Sequence, residues 1–322
     1  MKLKSNSWTM ASLLLSLLFF STCEKNANIT SLEQPKEEIS SFSFNGTSFS
    51  ILDGRILINS QEEARILEEA VLLNQEEASQ LFNNIPEYIS AEQAYLSING
   101  TKLKSEKDFE AFSSIAFFEK LAGDEYLEPV IDNLALRFIA NHQRIFQIAD
   151  RIYEITRDYG ISIPADVYFH LSNEEKLNHP EAIIIPIFRK TISRTLMKDN
   201  VGRCRGNYEN DRRVTGELEE THPFLNSSVT NLLVRTKHFK KGFLGRYYGE
   251  RADELRHNGD LVVNHNNSTF TFSVNQVRTN EQNFGTLFFF NTGNPTIEAG
   301  FADNFAREGG ISGNCRCLPG VY

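Results

Sequence analysis

The chain has 322 residues and a formal net charge of -9, with 33 Lys and Arg against 42 Asp and Glu. Its length is sufficient for about two domains, and a mean hydropathy of -0.35 excludes a polytopic membrane protein. With 19 Gly, 9 Pro and 4 Cys, a collagen-like chain and a small disulfide-framework protein are excluded as well. The sequence contains no recognised catalytic or cofactor motif, so it predicts no catalytic residue, metal site or cofactor.

The first residues have the pattern of a secretory signal. Lys2 and Lys4 precede an uncharged, largely apolar run over residues 8–20. A run of that length is too short for a membrane-spanning helix, which needs about 20 apolar residues. We therefore expect a signal peptide over 1–22; the alternative is a buried core helix.

Cys23 directly follows this run. A lone cysteine at that place resembles the lipobox of bacterial lipoproteins, in which the thiol is acylated, for example with palmitate, and becomes the mature N-terminus. The alternative is ordinary cleavage that leaves a free thiol. Lipidation would make residues 23–44, which are mostly polar, a lipid-anchored tether. The protein would then be an outer-membrane lipoprotein of the cell envelope, either periplasmic or exposed at the surface.

Charge divides the remaining chain. Asp and Glu outnumber Lys and Arg by 15 over residues 24–188, whereas Lys and Arg are in excess by 6 over 189–256. This change predicts a boundary close to 190–205, with a helix-rich mixed domain over 45–200 and a second domain over 201–322.

Capping residues place the helices of the first domain. Ser60 and Ser105 have the pattern of N-caps, so helices are predicted to begin after each of them, the second continuing to Gly123. A third helix is predicted over 129–140, and a hairpin around Asp53-Gly54. Residues 145–156 fit either a helix or two short strands around Ala149-Asp150, and we favour the hairpin.

The second domain has the pattern of β-structure. Its seven candidate strands are short, partly alternating and separated by turn residues: 214–220, 229–239, 243–248, 261–265, 269–277, 286–291 and 296–301. The sequence therefore predicts an α+β fold, in which the helix-rich N-terminal domain is followed by a C-terminal antiparallel β-sandwich-like domain.

Several segments together resemble a known group of proteins. These are Cys23, the strand–Asp-Gly–strand segment 50–58, FQIADRIYEIT at 146–156, VTGELEE at 214–220 and the basic segment 234–255. The chain is similar in these segments to uncharacterised secreted lipoproteins of gut and oral Bacteroidetes. That resemblance implies a lipid anchor and a basic C-terminal sheet, and it implies no known activity.

The basic segment is the candidate ligand-binding site. Cations there are interleaved with aromatic residues, and exposed groups of this kind bind sulfated or acidic glycans and other anions. The candidate residues are Arg235, Lys237, Lys240, Lys241, Arg246, Tyr247 and Tyr248. The alternative is a hairpin whose lysines protect a sheet edge from aggregation. Nucleic acid is not an expected partner of an exported acidic protein.

Two groups of titratable residues are candidates for a chemical site. Glu217, Glu219, Glu220 and His222 are close in the sequence and could form an acid–base cluster. Alternation puts Glu217 and Glu219 on one face of an edge strand, and we expect that face to be solvated instead. Glu254 and His257 are three residues apart, and on a strand that spacing puts them on opposite faces and makes a metal site unfavourable.

Three cysteines follow Cys23. Cys204 opens the predicted β domain, and Cys315 and Cys317 close it. We expect a disulfide between Cys204 and one of the other two, and the sequence leaves that choice open. A site of three thiolates for a metal would lack an obvious fourth ligand.

These features favour a lipid-anchored binding or adhesion module without catalytic activity, whose ligand is an acidic glycan or a surface protein. Two alternatives remain open at this point. One is an envelope hydrolase of glycan or peptide, whose carboxylates meet only in the fold. The other is a structural subunit of a surface assembly that offers an edge strand to its partner.

Overall fold

In a computed structural model of the chain, residues 40–98, 103, 105–121, 123–187, 202–209, 211–225, 229–290 and 295–320 are described. They belong to one compact unit. The predicted signal peptide, Cys23 and nearly all of the predicted tether lie outside these residues. None of the helices within the described ranges is long and apolar enough to cross a membrane.

Within the described ranges, sheet 1 has seven strands in the order β1-β2-β3-β6-β7-β8-β9, antiparallel except for the parallel pair β3–β6. Its strands are β1 (Ser41–Phe44), β2 (Thr47–Leu52), β3 (Arg55–Ile58), β6 (Ile145–Ile148), β7 (Arg151–Ile155), β8 (Tyr159–Pro164) and β9 (Ile183–Pro186). The favoured hairpin over 145–156 is confirmed as β6–β7, and Ala149 in its turn has a φ of 52°. The Asp53-Gly54 hairpin is confirmed as β2–β3.

Seven short helices are described: α1 (Gln61–Leu73), α2 (Gln75–Phe82), α3 (Ala91–Leu96), α4 (Glu106–Glu110), α5 (Leu134–Ile139), α6 (Ala165–Tyr168) and α7 (Asn173–Asn178). The Ser60 and Ser105 hydroxyls both accept N-cap hydrogen bonds as expected. Residues of α1, α2 and α5 pack on sheet 1 around a core that includes Phe49, Leu67 and Phe82.

The prediction of a helix-rich N-terminal domain is wrong. The chain is mostly β, and α4 ends at Glu110 instead of continuing to Gly123. Residues 116–121 form a strand because they pair antiparallel with 124–129, and this pairing overrides their local helical spacing. The capping serines mark where short helices begin, and they contain no information about how far each helix extends.

Sheet 2 joins strands from both sides of the predicted domain boundary. Its order is β10-β11-β12-β13-β5-β4, and β16 also pairs with β12. Its strands are β4 (Ala116–Leu121), β5 (Asp124–Pro129), β10 (Gly202–Tyr208), β11 (Arg212–Thr221), β12 (Thr230–Lys241), β13 (Tyr247–Gly249) and β16 (Asn283–Phe290). A single turn of 3-10 helix, Phe243–Gly245, precedes β13.

Sheet 3 has the order β15-β14-β17-β18 and is antiparallel throughout. Its strands are β14 (Glu254–His265), β15 (Ser268–Arg278), β17 (Thr296–Glu308) and β18 (Ile311–Cys317). One face of sheet 2 packs against sheet 3 around an apolar core that includes Leu218, Val234 and Leu261. The C-terminal strands therefore form a β-sandwich.

Candidate functional site

The second face of sheet 2 is covered by part of the same sheet. Arg203 on β10 lies 3.6 Å from Glu119 on β4, and Arg205 donates to Asp124 on β5 at 2.8 Å. These contacts join strands at opposite ends of the strand order, so the sheet curls until the β4–β5 hairpin lies over β10 and β11. The side chains on this inner face are removed from solvent, although many of them are charged.

Glu217 is at the centre of the inner face. It lies between Arg203 and Arg235 as their cross-strand neighbour, and its carboxylate oxygens are 3.7 Å and 3.6 Å from the two guanidinium groups. Lys237 donates to Glu217 at 3.1 Å and to Glu128 at 2.9 Å. Only 4% of Glu217 and 8% of Lys237 is exposed, so these ions are matched by each other rather than by water.

The two alternating carboxylates of β11 have opposite pKa shifts. Burial would raise the pKa of Glu217, but Lys237 and the two flanking arginines outweigh burial and lower it to about 2. Burial and the charge of Glu217 raise the pKa of Glu219 to about 7. The expectation of a solvated face for this pair is wrong, because β4 and β5 cover it. A carboxyl that titrates near neutral pH has the proton affinity of a general acid or base.

The space next to these charges is small. A cleft beside Lys237 has room for about one water molecule. Its lining residues are Tyr95, Glu128, Pro129, Arg137, Arg235, Lys237, His238, Phe239, Gly249, Gln282 and Asn283. A second buried pair, Arg137 and Glu92 at 2.9 Å, contributes to the same wall. The buried cations and carboxylates around this cleft therefore neutralise each other. The cleft is too small for a substrate unless the surrounding strands move.

Most of the predicted ligand-binding residues lie inside the protein. Arg235 and Lys237 are in the ion-pair network, and Tyr247 and Tyr248 are 0% and 3% exposed. Arg246 forms ion pairs with Glu106 and Glu125 and its guanidinium lies over Phe118.

Lys240 and Lys241 have greater exposure. The side chain of Lys240 is 39% exposed and lies 3.6 Å from Glu308, and Lys241 is exposed near the ring of Tyr247. The assumption of an exposed basic and aromatic face is therefore wrong, because alternation turns the odd-numbered residues of β12 inward. Whether any of these residues binds a ligand stays a prediction.

The sandwich core contains a second polar cluster. His257 hydrogen-bonds through one ring nitrogen to Thr236 at 3.2 Å and through the other to Thr286 at 2.7 Å. Thr236 also donates to Asn304. Burial and the charge of Arg278 lower the pKa of His257 to about 3. Glu254 forms an ion pair with Arg307. The described residues contain no group of three or more His, Cys, Asp and Glu that could hold a metal ion.

The three C-terminal cysteines meet beside this cluster. Cys204 and Cys315 form a disulfide with a Cα–Cα distance of 5.7 Å. Of the two partners that the sequence left open for Cys204, the structure therefore has Cys315. The Cys317 sulfur is buried 2.7 Å from that of Cys204, and Asn304 donates to both sulfurs. Burial raises the pKa of the Cys317 thiol, so the neutral form is favoured.

A surface feature that sequence reasoning missed is the edge strand β15. Apart from Val274 and the partly buried Phe272, its residues are exposed. Phe270 is 45% exposed, and Phe272 contacts Phe288 of β16 with the ring centroids 4.8 Å apart. The alternation of Phe270, Phe272 and Val274 identified a strand; nothing in it indicated that this strand lies at the edge of its sheet.

Comparisons with known proteins give little further information. No protein-family model matches the chain, and no curated protein matches it. A solved structure of a DUF4848 family protein from Bacteroides thetaiotaomicron is similar, with 12% identity and a TM-score of 0.28 over 79% of this chain and 92% of that one. A TM-score of that size does not establish a shared fold, so this likeness supports no conclusion about the present chain.

Proposed function

We propose that the protein is a lipid-anchored binding protein of the cell envelope, and that it binds a protein partner by strand addition along β15. In this mode an extended segment of the partner pairs with the free edge of a sheet, so that main-chain hydrogen bonds supply affinity and alternate side chains supply specificity. The exposed edge of sheet 3 is the observation that carries the proposal.

The composition of β15 supports this role. Natural sheets protect their exposed edges with charged residues, proline, bulges or very short strands. β15 is 11 residues long, contains no proline and has no charged residue from Ser268 to Val277. On the side away from β14, it pairs with no other strand in the described ranges. Its edge is therefore suited to accept another strand.

The apolar side chains of β15 support the same conclusion. Phe270 and Phe272 lie on the face that is turned toward β16, where Phe288 and Phe290 continue the aromatic surface. A partner strand with apolar residues at alternate positions would extend this surface and cover the exposed ring of Phe270. Each Å² of apolar surface removed from water contributes roughly 25 cal/mol.

The basic segment gives less support for an acidic glycan. Arg235 and Lys237 would have to leave Glu217 and Glu128, with which they are paired, before they could bind a sulfate or carboxylate. Breaking a buried ion pair of this kind costs roughly 3–5 kcal/mol. For that reason we favour a protein ligand over a glycan.

The proposed location in the cell envelope is supported by the sequence alone. A cationic start at Lys2 and Lys4, the apolar run over 8–20 and Cys23 support export and lipidation. Several acyl chains on Cys23 would hold the protein at a membrane. β15 would then meet partners that are attached to, or pass near, the same membrane.

Photo-crosslinking in intact producing cells tests the proposed binding mode. A photoreactive amino acid is placed in turn at Thr269, Thr271 and Asn275 of β15, and at Ser43 of the edge strand β1 as a control. We expect the three β15 positions to form adducts with one partner segment, at sites whose spacing follows the two-residue period of a strand, and Ser43 to form none with that segment. Adducts at scattered sites, equal adducts from Ser43, or no adduct from β15 would contradict the proposal.

A further inference from the structure

We infer that the strand accepted by β15 is β15 of a second copy of this chain, in an antiparallel pair with its two-fold axis at Phe272. This inference rests on the proposed function, because both use the same sheet edge. It identifies the partner, for which the proposed function requires only a protein with an extended segment.

The centre of the inner face of such a pair, at residues 270, 272 and 274, is apolar and self-complementary. In the register centred on Phe272, that residue faces its own counterpart, and Phe270 faces Val274 of the second copy. Aromatic–aromatic and aromatic–β-branched pairs stabilise neighbouring strands by about 0.2–1 kcal/mol each. The pair also covers Phe270 of both copies, which is 45% exposed in the single chain.

The outer face of the pair is polar and without like charges. Thr271 faces Ser273 of the second copy, and Thr269 faces Asn275, so hydroxyl and amide groups meet across the interface. Arg278 is the one charged residue of β15. The antiparallel arrangement places the two copies of Arg278 at opposite ends of the pair, so they do not repel each other.

The size of the contact predicts a weak dimer. A pair of 11-residue strands contributes only the rim of a sheet, whereas standard stable interfaces bury at least about 1,200 Å². We therefore expect dimers that dissociate on dilution through the micromolar range. Anchoring of both copies in one membrane would raise their effective concentration and favour the dimer there.

Sedimentation velocity of the full chain in detergent, over a range of concentrations, tests this inference. The first variant, Thr269→Lys/Asn275→Lys, places lysine opposite lysine at two points of the dimer. The second, Thr269→Lys/Asn275→Glu, places lysine opposite glutamate at the same points. Ser43→Lys/Ser48→Lys is the control, because these residues form an exposed cross-strand pair on β1 and β2.

We expect the wild-type chain, the Lys/Glu variant and the control to shift from one protomer to two as concentration rises, and the Lys/Lys variant to stay at one. A wild-type chain that is monomeric up to about 0.5 mM, well above the micromolar range of weak dimers, would overturn the inference, as would equal behaviour of the two β15 variants. If the wild type is monomeric while β15 crosslinks to a different protein in cells, the inference is overturned and the proposed function is supported. If neither occurs, both are overturned.

Discussion

β12 and β15 differ in a way that their sequences do not suggest. β12 contains Arg235, Lys237 and His238, yet ten of its twelve residues are buried. β15 has no charge over its first ten residues and contains two phenylalanines, yet it is mostly exposed. Position in the sheets explains the difference, since β12 is central with partners on both sides and β15 lies at an edge. The charged residues of β12 can be buried because oppositely charged side chains lie next to them. The uncharged residues of β15 are exposed because no strand covers that edge, which is therefore available to a partner.

The largest expected effect comes from removing one cation of β12. Lys237→Met removes the ammonium group that lies about 3 Å from both Glu217 and Glu128. Glu217 keeps Arg203 and Arg235 nearby, whereas buried Glu128 loses the ammonium group that donates to it. An unpaired buried charge costs roughly 3–5 kcal/mol, so we expect the free energy of unfolding to fall by about that amount in denaturant titrations at pH 7. Gln276→Met on exposed β15 is the control, with an expected change below about 0.5 kcal/mol. Equal losses in the two variants would contradict the comparison.

Glu219 next to β12 gives an effect that depends on pH. Its pKa is about 7 in the fold and 4.5 as an ordinary side chain. Because the folded pKa is raised, the stability that Glu219 contributes is fully present below pH 4.5 and is lost as pH rises through 7. A shift of this size corresponds to about 3 kcal/mol. We expect Glu219→Gln to remove that loss. The difference in free energy of unfolding, variant minus wild type, should therefore be larger at pH 8 than at pH 5.

Chemical denaturation at the two pH values measures this difference. Glu298→Gln is the matched control, because Glu298 lies on an exposed position of β17. The control should follow the wild-type pH dependence. The assignment of neutral-range titration to Glu219 fails if Glu219→Gln and Glu298→Gln have the same profile.

The smallest effect is expected for charges placed on β15 itself. Thr269→Lys/Asn275→Lys changes two exposed side chains, so the free energy of unfolding should change by less than about 1 kcal/mol. Thermal or denaturant unfolding under dilute, monomeric conditions measures it. A loss of several kcal/mol would mean that these side chains are buried against the chain's own core, and β15 would then be unsuitable as a free edge.

The sequence predicts local structure in this protein better than its assembly. Hairpins at Asp53-Gly54 and Ala149-Asp150, and strands that became β11, β12 and β15, follow from turn residues and alternation. The β4–β5 pairing was missed, because residues 116–121 have apolar spacing that also fits a helix. Burial of Lys237 was missed for a related reason, since its partner Glu128 is 109 residues away. The residue pattern of a single strand does not indicate which distant residues its side chains contact.

The same limit applies to the candidate site. Alternation correctly placed Glu217 and Glu219 on one face of β11, but whether that face meets water depends on the curl of sheet 2. The cysteine pattern likewise predicted a disulfide from Cys204, while its pairing with Cys315 depends on how β18 lies beside β10. Whether a strand lies at a sheet edge depends on the order of the strands in the sheet. The sequence of β15 does not predict that order.

Hydrogen–deuterium exchange of the full chain, followed by peptide mass spectrometry at low and high protein concentration, tests the contrast between β12 and β15 most directly. We predict that peptides from 230–241 exchange slowly at both concentrations. In peptides from 268–278, the alternate amides that point away from β14 should exchange rapidly in dilute solution and become protected as concentration rises. Rapid exchange of 230–241, or concentration-independent protection of 268–278 equal to that of 230–241, would contradict the account.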